Sequence, residues 1–512
     1  MLKSSGAVSA ATLTSRVFGL IREMVFARFM GDSWVASAFI MAFMIPNLFR
    51  RLLGEGALTA AFIPVFKEKE KLGENEMWMA GNAILSALIL IAGAVVVFAV
   101  LLISGLLTVE IGDGKTILML QLLRLMFPYL LLVCVAALCI GMLNARGYFF
   151  VPALGTTFLN LVMIASVLFL APRISGGLDR QVFGLAIGVL IAGVVQMVFQ
   201  LPQLNREGFH YQWVSPLGNP TVRRVAMQMG PAILGVAAYQ LNVLATQSLA
   251  FWTGKEIVAS FNYAVRLMEL PQGLFGLSLA TYLLPTLSGL AADKKYPEFR
   301  ATLQQGVGYI IFINLLASVL LFTLAEPMVR LLFERGKFDA ASTARAASAL
   351  AWLAPGLVAF SLVNILARGF FALGDTRTPM RVSAFCLVVN IVLAAGLIWR
   401  YRQAGLGLAN TVSAAVNAAL LIFALRKKLA KLEWGALRTQ VPALMGAGML
   451  AGAVAYGVRV WWDKGFGYAT LPYKLGDVFV PMLAATGVYL ALGFWLKVPF
   501  VKDLLTFFKG RH

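Results

Sequence analysis

The sequence predicts an all-α polytopic membrane protein with about 14 transmembrane helices, and three observations carry that expectation. Hydrophobic residues make up 60% of the 512 and charged residues only 13%, where a soluble domain carries about 25% charged residues. The apolar residues come in long runs, such as Ala83 to Leu107 and Leu154 to Ala171. Runs of this kind approach the ~20 residues that cross a hydrocarbon core. They do not alternate every second residue, as the strands of a membrane β-barrel would.

Hydropathy and breaker residues place the spans at 4–30, 34–65, 79–108, 117–144, 151–171, 182–203, 223–252, 257–290, 301–325, 343–367, 379–399, 405–425, 440–461 and 475–497. The first is read as an uncleaved helix. It has Lys3 and small residues but no apolar core ahead of Arg16, so it does not resemble a secretory signal. With the N-terminus in the cytoplasm, the inner loops include "KEKEKLGENE", "LNREGFH", "ADKKYPEFR", "LGDTRTPMR" and "LRKKLAKLEWGALR". These collect most of the loop Lys and Arg, as the positive-inside rule requires. An even span count returns the C-terminus to the same side. The net charge of +20, from 43 Lys and Arg against 23 Asp and Glu, is then a property of inner loops. No basic patch interleaved with aromatics stands outside them, so no nucleic-acid partner is expected.

The chain compares with itself. "VAS" at Val35–Ser37 recurs at Val258–Ser260, "ARGYF" at Ala145–Phe149 recurs as "ARGFF" at Ala367–Phe371, and "GLA" at Gly184–Ala186 recurs at Gly407–Ala409. The common offset makes such short matches informative. Six spans fit within it, which predicts two six-helix lobes related by a pseudo-two-fold axis along the membrane normal. The expected division is 1–215 and 216–430 for the lobes, with 431–512 holding two additional helices and a cytoplasmic tail.

Charge inside the spans is the functional signal. A buried charge in a bilayer costs several kcal/mol, about 2.5–3.5 at the helix centre by insertion measurements. Yet the first span, "TSRVFGLIREMVFARFMG", holds Arg16, Arg22, Glu23 and Arg28. Arg16 and Glu23 are seven apart and share a face. Gly19 could bend the helix, and Arg28 is placed to reach the outer interface. The repeat sets Arg16 against Tyr239 and Arg22 against Ala245, so packing common to both lobes does not demand the arginines. The second span carries "IPNLFRRLLGEGALTAAFIP", with a bend expected at Pro46, Asn47 beside it, Arg50 without a local partner, and Arg51 four residues from Glu55. The eighth carries Arg266 and Glu269, three apart on one face before Pro271. Arg124 is a further intramembrane arginine. Guanidinium groups take phosphate oxygens in pairs, so a surplus of midplane arginine predicts an anionic, phosphorylated substrate.

Covalent chemistry has no support. No P-loop, zinc motif, nucleophile elbow or glycine-rich cradle appears. Cys134, Cys139 and Cys386 sit in apolar runs, and His210 and His512 fall in a loop and at the terminus. No catalytic residue, metal or cofactor is expected, and the protein reads as a transporter, not an enzyme.

At "SRVFGLIRE", "PNLFRRLLGEGALTAAFIPVF" and "YAVRLMELPQGLFGLSLATYLLP" the chain resembles the MurJ (MviN) family of lipid II flippases, within the multidrug, oligosaccharidyl-lipid and polysaccharide exporter superfamily. The resemblance runs over essentially the whole chain. It implies a protein of the bacterial inner membrane that moves undecaprenyl-pyrophosphate carrying a sugar-peptide from the cytoplasmic to the periplasmic leaflet by alternating access. It implies substrate-binding roles for Arg16, Arg22, Arg50 and Arg266, with Glu23, Glu269, Asn47, Arg51 and Glu55 in support. It implies a lipid-tail groove in the last two helices, and membrane lipids and cell-wall synthesis proteins as partners. Other readings remain at this point: a flippase for a different polyprenyl-linked glycan, a related exporter, or a membrane scaffold for cell-wall synthesis. The chain departs from the family at Ser37, where relatives commonly have Asp, and at Val265, where an acid often precedes the arginine. Thr246 and Ala394 stand where sodium-binding relatives carry acids, although Asn390 is kept.

Overall fold

In a computed structural model the described residues, 2–51, 58–109, 112–429, 435–496 and 498, form helices joined by turns and loops, with no strand among them. The chain divides into two compact units, Met1–Phe251 and Trp252–His512.

In the first unit, α1 (Leu2–Met30) continues through Gly19 without a break in the helix. A turn at Gly31, which has positive φ, leads to Ser33, whose hydroxyl accepts from the Ala36 N–H and starts α2 (Trp34–Phe49). α2 continues through Pro46 and changes to a π turn at Arg50 and Arg51. The irregularity in helical hydrogen bonding thus comes one turn after Pro46. Proline has no N–H and leaves a carbonyl of the preceding turn without its usual donor, and π turns absorb such a fault within a helix. α3 (Leu58–Glu70) and α4 (Glu74–Thr108) follow. α5 (Gly114–Met126) and α6 (Tyr129–Ala145) meet at a 43° bend, and α7 (Phe150–Ala165) passes through a π turn and a 3-10 turn. α8 (Leu178–Val198), α9 (Leu201–Arg206) and α10 (Pro220–Thr253) complete the series. A core of Phe62, Phe66, Met77, Trp78, Leu138 and Met142 joins α3, α4 and α6.

In the second unit, α11 (Ile257–Pro271) changes to a π turn at Gln272–Leu277 before α12 (Ser278–Ala292). α13 (Tyr296–Thr323) leads to the short α14 (Ala325–Phe333). α15 (Ala340–Leu353) and α16 (Gly356–Ala372) meet at 47°. The apolar run Arg377–Leu429, α17, is two helices meeting at Arg402, where φ is 50° and ψ −128°. α18 (Gly435–Gly465) and α19 (Leu471–Trp495) pack on α13 through Phe312, Leu320, Leu444 and Ala451. The buried Tyr489 hydroxyl donates to the Phe312 carbonyl at 2.9 Å.

The repeat is written in breaks and caps. Asp113 accepts from the Thr116 N–H at the start of α5, and Asp339 from the Ser342 N–H at the start of α15. Pro128 and Pro355 precede α6 and α16, and Gly147 and Gly374, both at positive φ, end them. These pairs are offset by 226 or 227 residues. One sequence match is therefore corrected: "ARGYF" straddles the end of α6, whereas "ARGFF" lies inside α16. The segment equivalent to Ala145–Pro152 is Ala372–Pro379. "VAS" holds its place, in the first turn of both α2 and α11.

The protein is an all-α, multi-pass membrane protein. Seven described helices are long and apolar enough to cross a bilayer, nine if each bent pair counts once. The expectation of about 14 differs because it counts α17 twice and includes spans that charge makes less apolar, such as α1. The outer faces are apolar. Ile91, Val97, Phe98 and Leu101 of α4 and Val388, Val392 and Trp399 of α17 are exposed, a pattern suited to lipid and rare over such areas on soluble monomers.

Candidate functional site: an arginine fork on the first helix

Arg22 is where the unusual charge of α1 becomes a constructed site. The helix carries it toward α7, and its side chain is only 14% exposed. Nη2 pairs with the carboxylate of Glu23, itself buried. Nη1 donates to Asn160 Oδ1 on α7 at 3.0 Å. The guanidinium carbon lies 5.6 Å from the centre of the Phe26 ring, a cation–π distance. Asn160 Nδ2 donates back to the Ser15 carbonyl at 3.1 Å, and Ser15 Oγ donates to Thr156 Oγ1 at 2.8 Å. α1 and α7 are thus joined by a polar ladder inside an apolar pair of helices.

A guanidinium has five N–H donors. Two are used, and Nε is buried without an acceptor among the described residues. The site is a held cation with donors in reserve, the chemistry that suits a phosphate or pyrophosphate oxygen.

The other expected residues are distributed as follows. Glu23 pairs with its neighbour Arg22, while Arg16, half-buried on α1, makes no hydrogen bond or ion pair among the described residues. Arg28 and Arg124 are exposed. Arg50 closes α2, and its Nε donates to Asn47 Oδ1 at 2.8 Å, which gives it the local partner absent from the sequence reading. Arg51 is half-buried in the π turn. Its expected partner Glu55 lies outside the described residues. In the second unit Arg266 and Glu269 form the expected pair at 2.8 Å, partly exposed on α11 one turn before the π turn.

Asn160 is the residue that sequence reasoning missed. Its signal was available: a lone amide within the apolar run "TTFLNLVMIA", where an unpaired polar group would be costly.

A second charged cluster lies on the second unit. Arg330 of α14, 9% exposed, faces Glu326 at 2.5 Å, Asp477 at 3.4 Å and Glu334 at 3.8 Å, with its guanidinium over the Tyr468 ring at 3.8 Å. Arg459 pairs with Glu326 at 2.8 Å and Lys474 with Glu334 at 3.4 Å. Its cations are matched by carboxylates, so it fastens α18 and α19 to α14 and offers no surplus charge to a ligand. Among the described residues, no group of three His, Cys, Asp or Glu is placed to hold a metal, and the three cysteines are buried and free.

Comparison with known proteins matches this architecture to one family. The family model of the lipid II flippase MurJ fits residues 26–475. The probable lipid II flippase MurJ of Vibrio cholerae is 35% identical over 483 residues, covering 90% of this chain and 89% of that protein. The lipid II flippase MurJ of Burkholderia cenocepacia is 35% identical over 502 residues, 95% of each chain. Among solved structures, an inward closed conformation of the lipid II flippase MurJ superposes with a TM-score of 0.78 at 23% identity, over 97% of this chain and 99% of that one. An inward-facing multidrug transporter of the MATE family, within the MOP superfamily, superposes at 0.65 and 16% identity over 83% of this chain and 98% of that one, a likeness of fold. The relatives are named as flippases, transporters and not enzymes, and the chain belongs to the MurJ lipid II flippase family.

Proposed function

We propose that this protein moves lipid II, an undecaprenyl-pyrophosphate carrying a sugar-peptide, from the cytoplasmic to the periplasmic leaflet of the bacterial inner membrane by alternating access. Arg16, Arg22, Arg50 and Arg266 meet the pyrophosphate, and Glu23, Glu269, Asn47, Arg51 and Glu55 order them. Only the headgroup needs a polar path, because the polyprenyl tail is soluble in lipid. The observation that carries the reading is the Arg22 fork. A buried guanidinium held by one carboxylate and one neutral amide keeps N–H donors that can meet anionic oxygens.

In this reading residues 1–215 and 216–430 are the two moving lobes of about 14 spans in all, and 431–512 serves the lipid tail. The exposed Met445, Met449 and Leu483 on α18 and α19 support that assignment, since they offer apolar surface to an acyl chain. Both termini lie in the cytoplasm, and cell-wall synthesis proteins are the expected protein partners.

Complementation tests the reading. Arg22→Ala and Arg266→Ala should each fail to support growth in cells lacking the native flippase, with protein levels unchanged. Arg22→Lys should also fail, because lysine keeps the charge and loses the planar fork. Normal growth with both alanine variants would overturn the assignment.

A further inference from the structure

We infer that Asn160 is a positioning residue for the anion site, holding the Arg22 fork in one orientation while leaving its charge intact. The inference rests on the pyrophosphate reading above.

Geometry is the first support. Asn160 is buried on α7, and both ends of its amide are committed to α1. The two contacts, at Ser15 and Arg22, lie seven residues apart, on one face two turns from each other. Rotating the amide would lose both bonds, since a carbonyl oxygen would then face the Ser15 carbonyl and an NH2 the guanidinium. The arginine is therefore registered against the backbone of its own helix through a neighbour. Gly19 sits between these contacts. A Cβ there would lie 3.6 Å from Asn160 Nδ2, at ordinary contact, so any longer side chain would press on the amide. Thr156, one turn earlier on α7, holds Ser15 by its hydroxyl and fixes the same helix face.

Charge is the second support. Glu23 already gives Arg22 one carboxylate. A second at position 160 would leave the group with a net negative charge, which repels phosphate. An amide supplies the same acceptor with no charge. Asparagine at this position is thus the choice that orients the cation without spending it.

The test uses the purified full-length protein in lipid nanodiscs, with farnesyl pyrophosphate and farnesyl monophosphate as probes. Asn160→Ala should lower pyrophosphate affinity about tenfold, as loss of a hydrogen bond to a charged group would, and narrow the preference for pyrophosphate over monophosphate. Asn160→Asp should narrow it further. Adding Glu23→Gln to Asn160→Asp returns the group to one carboxylate and should restore part of the preference. A purely structural role would lower the thermal midpoint and both affinities in step, leave the preference unchanged, and overturn the inference. If Asn160→Ala does not fold, the comparison of Asn160→Asp with the double variant decides. Arg22→Gln separates the two levels. If it loses the preference while every Asn160 variant keeps it, the positioning role fails alone. If Arg22→Gln itself binds both probes like the wild type, the pyrophosphate reading falls too.

Discussion

Replacing Arg330 with methionine should destabilise the second unit by about 3–5 kcal/mol, the usual cost of removing one partner of a buried ion pair. The structure says where the cost arises. Glu326 would keep Arg459 at 2.8 Å, and Glu334 would keep Lys474 at 3.4 Å and the Thr343 hydroxyl at 2.9 Å. Asp477 would keep no cation in direct contact, only the longer-range charge of Arg459. Its side chain is 2% exposed, its Oδ2 meets Arg330 at 3.4 Å, and its Oδ1 is buried without a hydrogen-bond partner among the described residues. Removing Arg330 takes away the contacting cation of that carboxylate, and methionine fills the space without replacing the charge. Equilibrium unfolding in mixed detergent micelles should report the loss, and Asp477→Asn in the same background should recover about half of it. A loss below about 1 kcal/mol, the value of an exposed pair, would show that Arg330 is not a buried partner of Asp477. So would an Asp477→Asn change that recovers nothing.

Other consequences follow from local geometry. A Cβ at Gly476 would fall within the Trp462 ring. Gly476→Ala should therefore displace the indole, break its 3.1 Å bond to the Tyr473 carbonyl and cost about 1–3 kcal/mol as overpacking; a thermal midpoint equal to the wild type would contradict the contact. Asp375, in the turn before α17, is held well below the ordinary carboxylate range, first by Lys428 and then by the Thr378 N–H. Its stabilising contribution is complete above an unfolded pKa of about 3.9 and is lost as pH falls through the lower folded value. The stability difference between wild type and Asp375→Asn should therefore be present at pH 7 and shrink under strong acid; a pH-independent difference would show that the charge plays no part.

The sequence reveals features that depend on composition and local spacing. Long apolar runs announce the helices, and charge within them marks α1, α2 and α11. The pair of Arg266 and Glu269, three residues apart, reads correctly from spacing, whereas the equally close pair of Arg50 and Asn47 does not, because an amide does not announce itself as a partner by charge. Contacts between distant segments are harder to read. Asn160 meets Arg22 across 138 residues of chain, and Arg330 meets Asp477 across 147. Neither partner is implied by the other's neighbourhood. The spacing Glu326, Arg330, Glu334 was a local sign of a helix in what otherwise reads as an outer loop. Letter matching also misplaced part of the repeat, because "ARGFF" copies the letters of "ARGYF" one turn too early. What the lobes share there is physical: an aspartate cap, a proline at the bend, and a glycine at positive φ after the helix.

Movement of lipid II is read from the sidedness of newly made lipid II in cells depleted of this protein. A headgroup-cleaving probe added from outside reports only molecules that have reached the outer leaflet. Depletion should make lipid II inaccessible, the wild-type chain should restore access, and Arg22→Ala, at equal abundance, should not. Lipid II that stays accessible after depletion would contradict the claim, and full restoration by Arg22→Ala would contradict the site.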